Sequence, residues 1–201
     1  MTKLCIATGN LGKQVEFREL LADWAGEIVF PQDLGLRLDV EEVGDSYAEI
    51  AALKARAYAV ASGLPCLADD SGLEVDALDG APGLYTARYA GPGASNAQRW
   101  AKLLDALAET PEGQRGARFR CAVALVKPGQ AHAETAEGTC EGRIALAPSG
   151  TEGFGYDPVF YLPELGKTMA ELPPETKNRV SHRGQAGREA YRVLSRLKNE
   201  L

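Results

Sequence analysis

The chain predicts an α/β protein, a mixed sheet flanked by helices. Three observations carry that reading. A short apolar run, Lys3 to Ala7, leads through a glycine-bearing loop into an amphipathic stretch, the strand–loop–helix order of α/β folds. A second apolar run, Cys66-Leu67-Ala68, follows an alanine-rich helical stretch. Two alternating runs, Arg118 to Val126 and His132 to Ile144, are joined by Pro128-Gly129 and Gln130, as in an antiparallel pair.

The first helix follows Thr8-Gly9-Asn10-Leu11-Gly12-Lys13 and is expected to place Val15, Phe17, Leu20, Leu21 and Trp24 on one side. Glu27 to Phe30 reads as a second strand closed by Pro31, and Leu36 to Val40 as a short extended segment. Ser46 with Glu49 three residues on forms a capping-box pattern for a helix to about Ser62, with Ile50, Leu53 and Ala57 on one face. Gly63 and Pro65 end it. After Ala68 the chain meets Asp69-Asp70, is expected to turn at Ser71-Gly72, and resumes as an alternating run from Leu73 to Leu78. Ser95 to Glu109 reads as a helix capped by Ser95, with Trp100, Leu103, Leu104 and Leu107 inward. Phe160-Tyr161-Leu162 suits a short strand, Thr168 to Leu172 a small segment, and Glu175 to Arg179 a helical turn. Ser181 is placed to cap a last helix with Ala190, Tyr191, Leu194 and Leu197 inward, ending near Leu201.

At 201 residues, one domain over 1–201, or two lobes sharing a sheet, is the expected organisation. Hydrophobic content of 45% and charged content of 25% match an ordinary soluble globular protein. A formal net charge of −6 argues against a broad nucleic-acid footprint. The first residues carry no signal-peptide pattern, and no apolar run is long enough for a membrane span. Cys5, Cys66, Cys121 and Cys140 lie far apart with no CxxC, so buried free thiols in a reducing cytoplasm are expected.

The chemistry-bearing stretches each have two readings. A glycine loop before a helix, with the Thr8 hydroxyl and Lys13 beside it, suits an anion at the helix N-terminus, but such a loop is often only a turn. The spacing of a Walker A motif is absent, since Gln14 follows the lysine. Asp69-Asp70-Ser71-Gly72 fits either a divalent-cation site at a strand end or a solvated turn. Glu41 and Glu42 matter only where the fold brings them to the aspartates. Phe154-Gly155-Tyr156-Asp157-Pro158 and Ser181-His182-Arg183-Gly184 each read as a structural turn or cap, or as part of a ligand site. His132 is expected to face solvent, and Trp24 and Trp100 to lie in the core or at an interface.

Four stretches together resemble the inosine/xanthosine triphosphate pyrophosphatase family: ATGNLGK (Ala7–Lys13), LADDSGLEVDALDGAPGLYTARYAG (Leu67–Gly91), GFGYDPVF (Gly153–Phe160) and SHRGQA (Ser181–Ala186). They occur in the family's order and span nearly the whole chain. The resemblance implies two lobes with a nucleotide cleft between them in an elongated mixed sheet, a homodimer, and hydrolysis of ITP, dITP and XTP to monophosphate and pyrophosphate. It implies that Thr8, Gly9, Asn10, Leu11, Gly12 and Lys13 hold the triphosphate, with Ser71 touching phosphates. Glu42 and Asp70 would hold Mg2+, and Asp70 would be the base for the attacking water. Phe154, Gly155, Tyr156 and Asp157 would contact base and sugar, Phe154 by stacking, and Lys177, His182 and Arg183 would complete the nucleobase pocket. One departure stands out: Glu49-Ile50-Ala51 replaces the family's Glu-Asn-Ala, which removes an amide and any polar contact it makes.

The residues suit that chemistry. Phosphoanhydride cleavage needs neutralised charge, an activated water and a stabilised leaving group, which a carboxylate-held metal and lysines supply. Hypoxanthine and xanthine carry an acceptor oxygen at position 6 where adenine carries a donor, so donors from Arg183 or His182, or backbone N–H groups, would select between them. A broader nucleotide pyrophosphatase, or a binding module without turnover, are the alternatives.

Overall fold

The computed structural model describes residues 3–197. In it, β1 (Lys3–Ile6) pairs in parallel with β2 (Glu27–Val29) and with β3 (Cys66–Val75). A short β4 (Pro82–Gly83) runs antiparallel to β3. Beyond β3 the sheet order continues through β5 (Gly116–Val126) and β6 (Glu134–Ile144) to β7 (Phe160–Leu162) and β8 (Lys167–Thr168). There β7 runs antiparallel to β6, and β8 to β7. Parallel and antiparallel ladders therefore coexist, as expected of a mixed α/β sheet.

The chain folds as two compact units. The first contains the residues up to Asp70, Cys121–Gly138 and those from His182 onward. Its helices are α1 (Leu11–Leu20), α2 (Tyr47–Ser62) and α5 (His182–Leu197). Because side chains alternate along a strand, β1 sends Leu4 and Ile6 to one face and Cys5 and Ala7 to the other. The first face packs on Phe17 and Leu21 of the α1 region and on Ala186, Ala190 and Leu194 of α5. The second packs on Ala51, Ala52, Ala55 and Ala59 of α2. Small side chains there let α2 lie close to the sheet. The structure thus corrects the expected faces: Val15 points to solvent, and α2 buries its alanine stripe with Ile50 while Leu53 and Ala57 are only half-buried.

The second unit contains Ser71–Arg120 and Thr139–Ser181. Its helices are α3 (Asn96–Ala106), N-capped by Ser95 in a full capping box with Gln98, and α4 (Pro174–Val180). Leu103 and Leu107 enter a core with Leu73, Val75, Ile144 and Met169, in which the rings of Phe119 and Phe160 meet at 4.4 Å.

Three local expectations change. Leu36 to Val40 forms no strand. Ser46 N-caps α2 as expected, its hydroxyl accepting from the Glu49 N–H, but Glu49 reaches back to the Asp45 N–H at 2.8 Å instead of that of Ser46. Most consequentially, Ser71-Gly72 makes no turn, since β3 runs unbroken from Cys66 to Val75. The Leu197 side chain and the expected helix end at Leu201 lie outside the described residues. All four cysteines are free, buried and on strands. No helix among the described residues is long and apolar enough to cross a membrane.

Candidate active site

The unbroken β3 decides where the paired aspartates go. Asp69 follows the parity of Leu67 and faces α1 and α5, whereas Asp70 follows Cys66 and Ala68 and faces α2. Two adjacent carboxylates are thereby separated onto opposite faces of one sheet.

On the first face, Asp69 Oδ2 accepts from Lys13 Nζ at 2.9 Å and from Arg183 Nε and Nη2 at 3.1 and 3.0 Å. Arg183 Nη1 also donates to Glu16 Oε2 at 2.6 Å. Lys13 lies in the first turn of α1 rather than in a loop, because the helix starts at Leu11 with Asn10 as its cap. Gln14 ties the loop down through Thr8 O and a reciprocal amide pair with Gln32. Thr8 is half-buried, and Gly9, Asn10 and Leu11 are exposed ahead of the positive end of α1. Arg183 stands in the first turn of α5, which is seated close to β6 at Gly138. A Cβ at Gly138 would collide with the His182 carbonyl and come within 2.8 Å of Gln185 Cβ, so only glycine admits this approach. His182 and Arg183 are both buried as a result.

On the second face, Lys54 of α2 donates to Asp70 Oδ1 at 2.8 Å and to Glu42 Oε1 at 3.2 Å. Their environments push the two aspartates apart. Burial raises Asp69, but the charges of Lys13, Arg183 and Lys54 outweigh it and hold its carboxyl well below the usual range. Burial raises Asp70, and Lys54 offsets this only in part, so its carboxyl stays above the usual range. Burial would lower Lys54 and Arg183, yet the facing carboxylates raise both, which keeps the cations charged.

Glu42 and Asp70 offer oxygen donors of the hard type that a divalent ion takes together with water and phosphate. Asp69 Oδ1 is buried with no hydrogen-bond partner, on the other face of the strand. No group of three or more His, Cys, Asp or Glu comes together among the described residues, so the chain's donor set suits an ion that shares its shell with substrate and water.

A separate cluster forms in the second unit. Lys177 Nζ meets Asp157 Oδ2 at 2.6 Å, both buried, and stands 4.8 Å from the centroid of the half-buried Phe154 ring. The same carboxylate oxygen accepts the Phe154 N–H at 2.8 Å. Gly153, at φ 75°, is required here, since a Cβ would strike the Asp157 carboxylate and come within 2.9 Å of Lys177 Nζ. Tyr156 departs from its expected place: its ring lies in the hydrophobic core at 3% exposure, with its hydroxyl on the Thr86 carbonyl at 3.0 Å. Ser71 is half-buried within β3. Ile50, at the position of the missing amide, is buried.

Sequence reasoning missed Glu16 and Lys54. Each sits on a helix as an ordinary surface-type charge, and only burial against its partner distinguishes it. A lysine on an alanine-rich helix was the one available signal.

The profile of the Ham1 family matches residues 4–193. The chain belongs to the Ham1 family. As a Ham1-family chain it is 51% identical over 191 residues to the dITP/XTP pyrophosphatase of Yersinia pseudotuberculosis, covering 92% of this chain and 94% of that one. It is 52% identical over 186 residues to the dITP/XTP pyrophosphatase of Geobacillus kaustophilus, covering 92% and 91%. The structure of a HAM1 protein from Coxiella burnetii superposes with a TM-score of 0.88 at 42% identity, over 98% of this chain and 100% of that one. Fold and family agree with the resemblance seen in the sequence.

Proposed function

We propose that this chain hydrolyses the non-standard purine nucleoside triphosphates ITP, dITP and XTP to the monophosphate and pyrophosphate, removing them from the nucleotide pool. The reading is supported by the Ham1 membership and by the names of its relatives. One observation of the site carries it: adjacent aspartates on opposite faces of β3, one held strongly acidic by two cations, the other raised by burial. Carboxyls pushed apart in this way divide the labour of an acid–base site.

In this reading Asp70 accepts the proton of the water that attacks as the α–β phosphoanhydride bond breaks and pyrophosphate leaves. Its carboxylate stands with Glu42 around Lys54 on the α2 face of β3, where it stays ionised to accept a proton. Asp69 does not take the proton. It fixes Lys13 and Arg183, so that Lys13 and the first turn of α1, with Thr8, Gly9, Asn10, Leu11 and Gly12, receive the triphosphate. Glu42 and Asp70 would hold Mg2+, which when bound neutralises phosphate charge and stabilises the leaving group. Ser71 contacts phosphate. Phe154 stacks on the purine, with Gly155 and Asp157 shaping its surroundings and Lys177 beside the ring. His182 and Arg183 supply donors for the oxygen at position 6, with Glu16 and Asp69 holding the guanidinium in one orientation. The chain works as one pyrophosphatase domain over 1–201, as a homodimer, in the cytoplasm, where four buried free thiols are stable.

The test is pyrophosphate release from ITP, XTP, ATP and GTP side by side, with and without magnesium. Fast magnesium-dependent release from ITP and XTP, at least tenfold above ATP, is expected. Comparable rates on ATP would favour a broad pyrophosphatase, and no release from any would favour a binding module.

A further inference from the structure

We infer that Tyr156 and Thr86 form a tie that positions the Phe154 platform relative to β3, so that Tyr156 acts through the fold and not as a contact to the nucleotide. The inference rests on the assignment of Phe154 and Ser71 to the nucleotide site. The geometry is continuous within the second unit. The buried Tyr156 hydroxyl donates to Thr86 O at 3.0 Å. The Thr86 hydroxyl donates to Gly83 O at 2.6 Å and accepts the Leu73 N–H at 2.9 Å.

Leu73 and Gly83 are register partners across β3 and β4. Thr86 therefore closes that ladder where β4 ends, with one hydroxyl serving both strands. Leu73 lies two residues from Ser71, and Tyr156 two residues from Phe154. The run Ser71–Leu73–Thr86–Tyr156–Phe154 thus joins a residue assigned to phosphate with the residue assigned to the base.

The other end of the Phe154 segment is also held. Asp157 accepts the Phe154 N–H, and Tyr156 O accepts from the Val159 and Phe160 N–H groups at 3.0 and 3.1 Å. With both ends fixed, the ring plane of Phe154 is set by backbone that has little freedom left. A phenylalanine at 156 would fill the core equally well. What tyrosine adds is the hydroxyl, and that hydroxyl is spent on a main-chain carbonyl of the very residue that clamps β3. Burial raises this phenol, which keeps it a donor at neutral pH.

The experiment compares Tyr156→Phe, Thr86→Val, Thr86→Ser and the double variant Tyr156→Phe/Thr86→Val with the parent, well below their melting temperatures. Steady-state ITP hydrolysis is read together with 19F NMR of the parent and the single Thr86 variants carrying fluorophenylalanine at their five Phe positions. Tyr156→Phe is expected to lower kcat/KM for ITP roughly tenfold, the loss of about one hydrogen bond, and Thr86→Val, which removes two, at least as much. Thr86→Ser, which keeps the hydroxyl, should stay near the parent. The double variant should lose no more than the worse single one, since both break the same tie. The Phe154 resonance should shift or broaden in Thr86→Val and hold its position in Thr86→Ser. Parental kcat/KM in both single variants, additive losses in the double, or a Phe154 resonance indifferent to Thr86→Val would overturn the tie. A parent inactive on ITP would instead refute the proposed function, and the Phe154 resonance would still decide the tie.

Discussion

The two units each bury an aspartate against a cation, but with different wiring. In the first, Asp69 is held by Lys13 and Arg183 together, and Arg183 in turn is shared with Glu16. Across the sheet, Asp70 and Glu42 share Lys54. Four carboxylates and three cations thus form one redundant charge field. In the second unit, Asp157 has Lys177 and a backbone N–H, set under an aromatic ring. In the first arrangement Asp69 keeps one cation when it loses the other. The second presents shape and a fixed ammonium. In the proposed reading the triphosphate meets the former, which also lends Arg183 to the base, and Phe154 of the latter stacks on the purine.

That contrast makes the lysines unequal. Lys177→Met leaves Asp157 buried without its cation and is expected to cost about 3–5 kcal/mol of stability, read by urea unfolding. Adding Asp157→Asn to it should recover part of the loss. Lys13→Gln leaves Asp69 with Arg183, so its cost should be smaller, about 1.5–3 kcal/mol, while its loss of ITP turnover should exceed what stability explains. Equal stability losses for the two would erase the distinction between redundant and single wiring.

Phe154→Ala should raise KM for ITP about 10–100-fold with kcat within a few-fold, the loss of about 1–3 kcal/mol of base stacking. A fall in kcat with unchanged KM would move Phe154 out of ground-state binding. The smallest effect concerns the buried thiols. Burial pushes Cys121 up to about 12 and Cys140 up to about 11, above the ordinary value of 9.0. Their contribution to stability is therefore whole below pH 9 and is lost as pH rises toward 11 and 12. At pH 8 the native protein should resist iodoacetamide at all four cysteines, and stoichiometric alkylation without denaturant would contradict their burial.

Much of this was legible in the sequence, for identifiable reasons. Long periodic segments such as Ser95 to Glu109 and Arg118 to Val126 announce themselves, because a capping serine or an alternating run has one stable outcome. The four motifs located both clusters. The failure at Ser71-Gly72 is more instructive. Serine and glycine after two aspartates favour a turn locally, yet ladder pairing on both sides of β3 overrides that preference. A turn would have left the aspartates as a joint pair. A continuous strand sends them to opposite faces, and the proposed division of their roles rests on this separation. Glu16 and Lys54 stayed hidden because a charge on a helix reads as solvated until its partner is seen. Tyr156 sits inside a motif read as ligand-binding, and nothing in the sequence signals its burial or its bond to Thr86.

The most direct test of the central claim, that Asp70 and not Asp69 takes the proton from water, is single-turnover ITP hydrolysis by Asp70→Asn with ITP binding measured on the same preparation. The expected result is a rate lowered about 10²–10⁴-fold with affinity near that of the parent. An Asp70→Asn enzyme that binds ITP and turns over at the parental rate would contradict it.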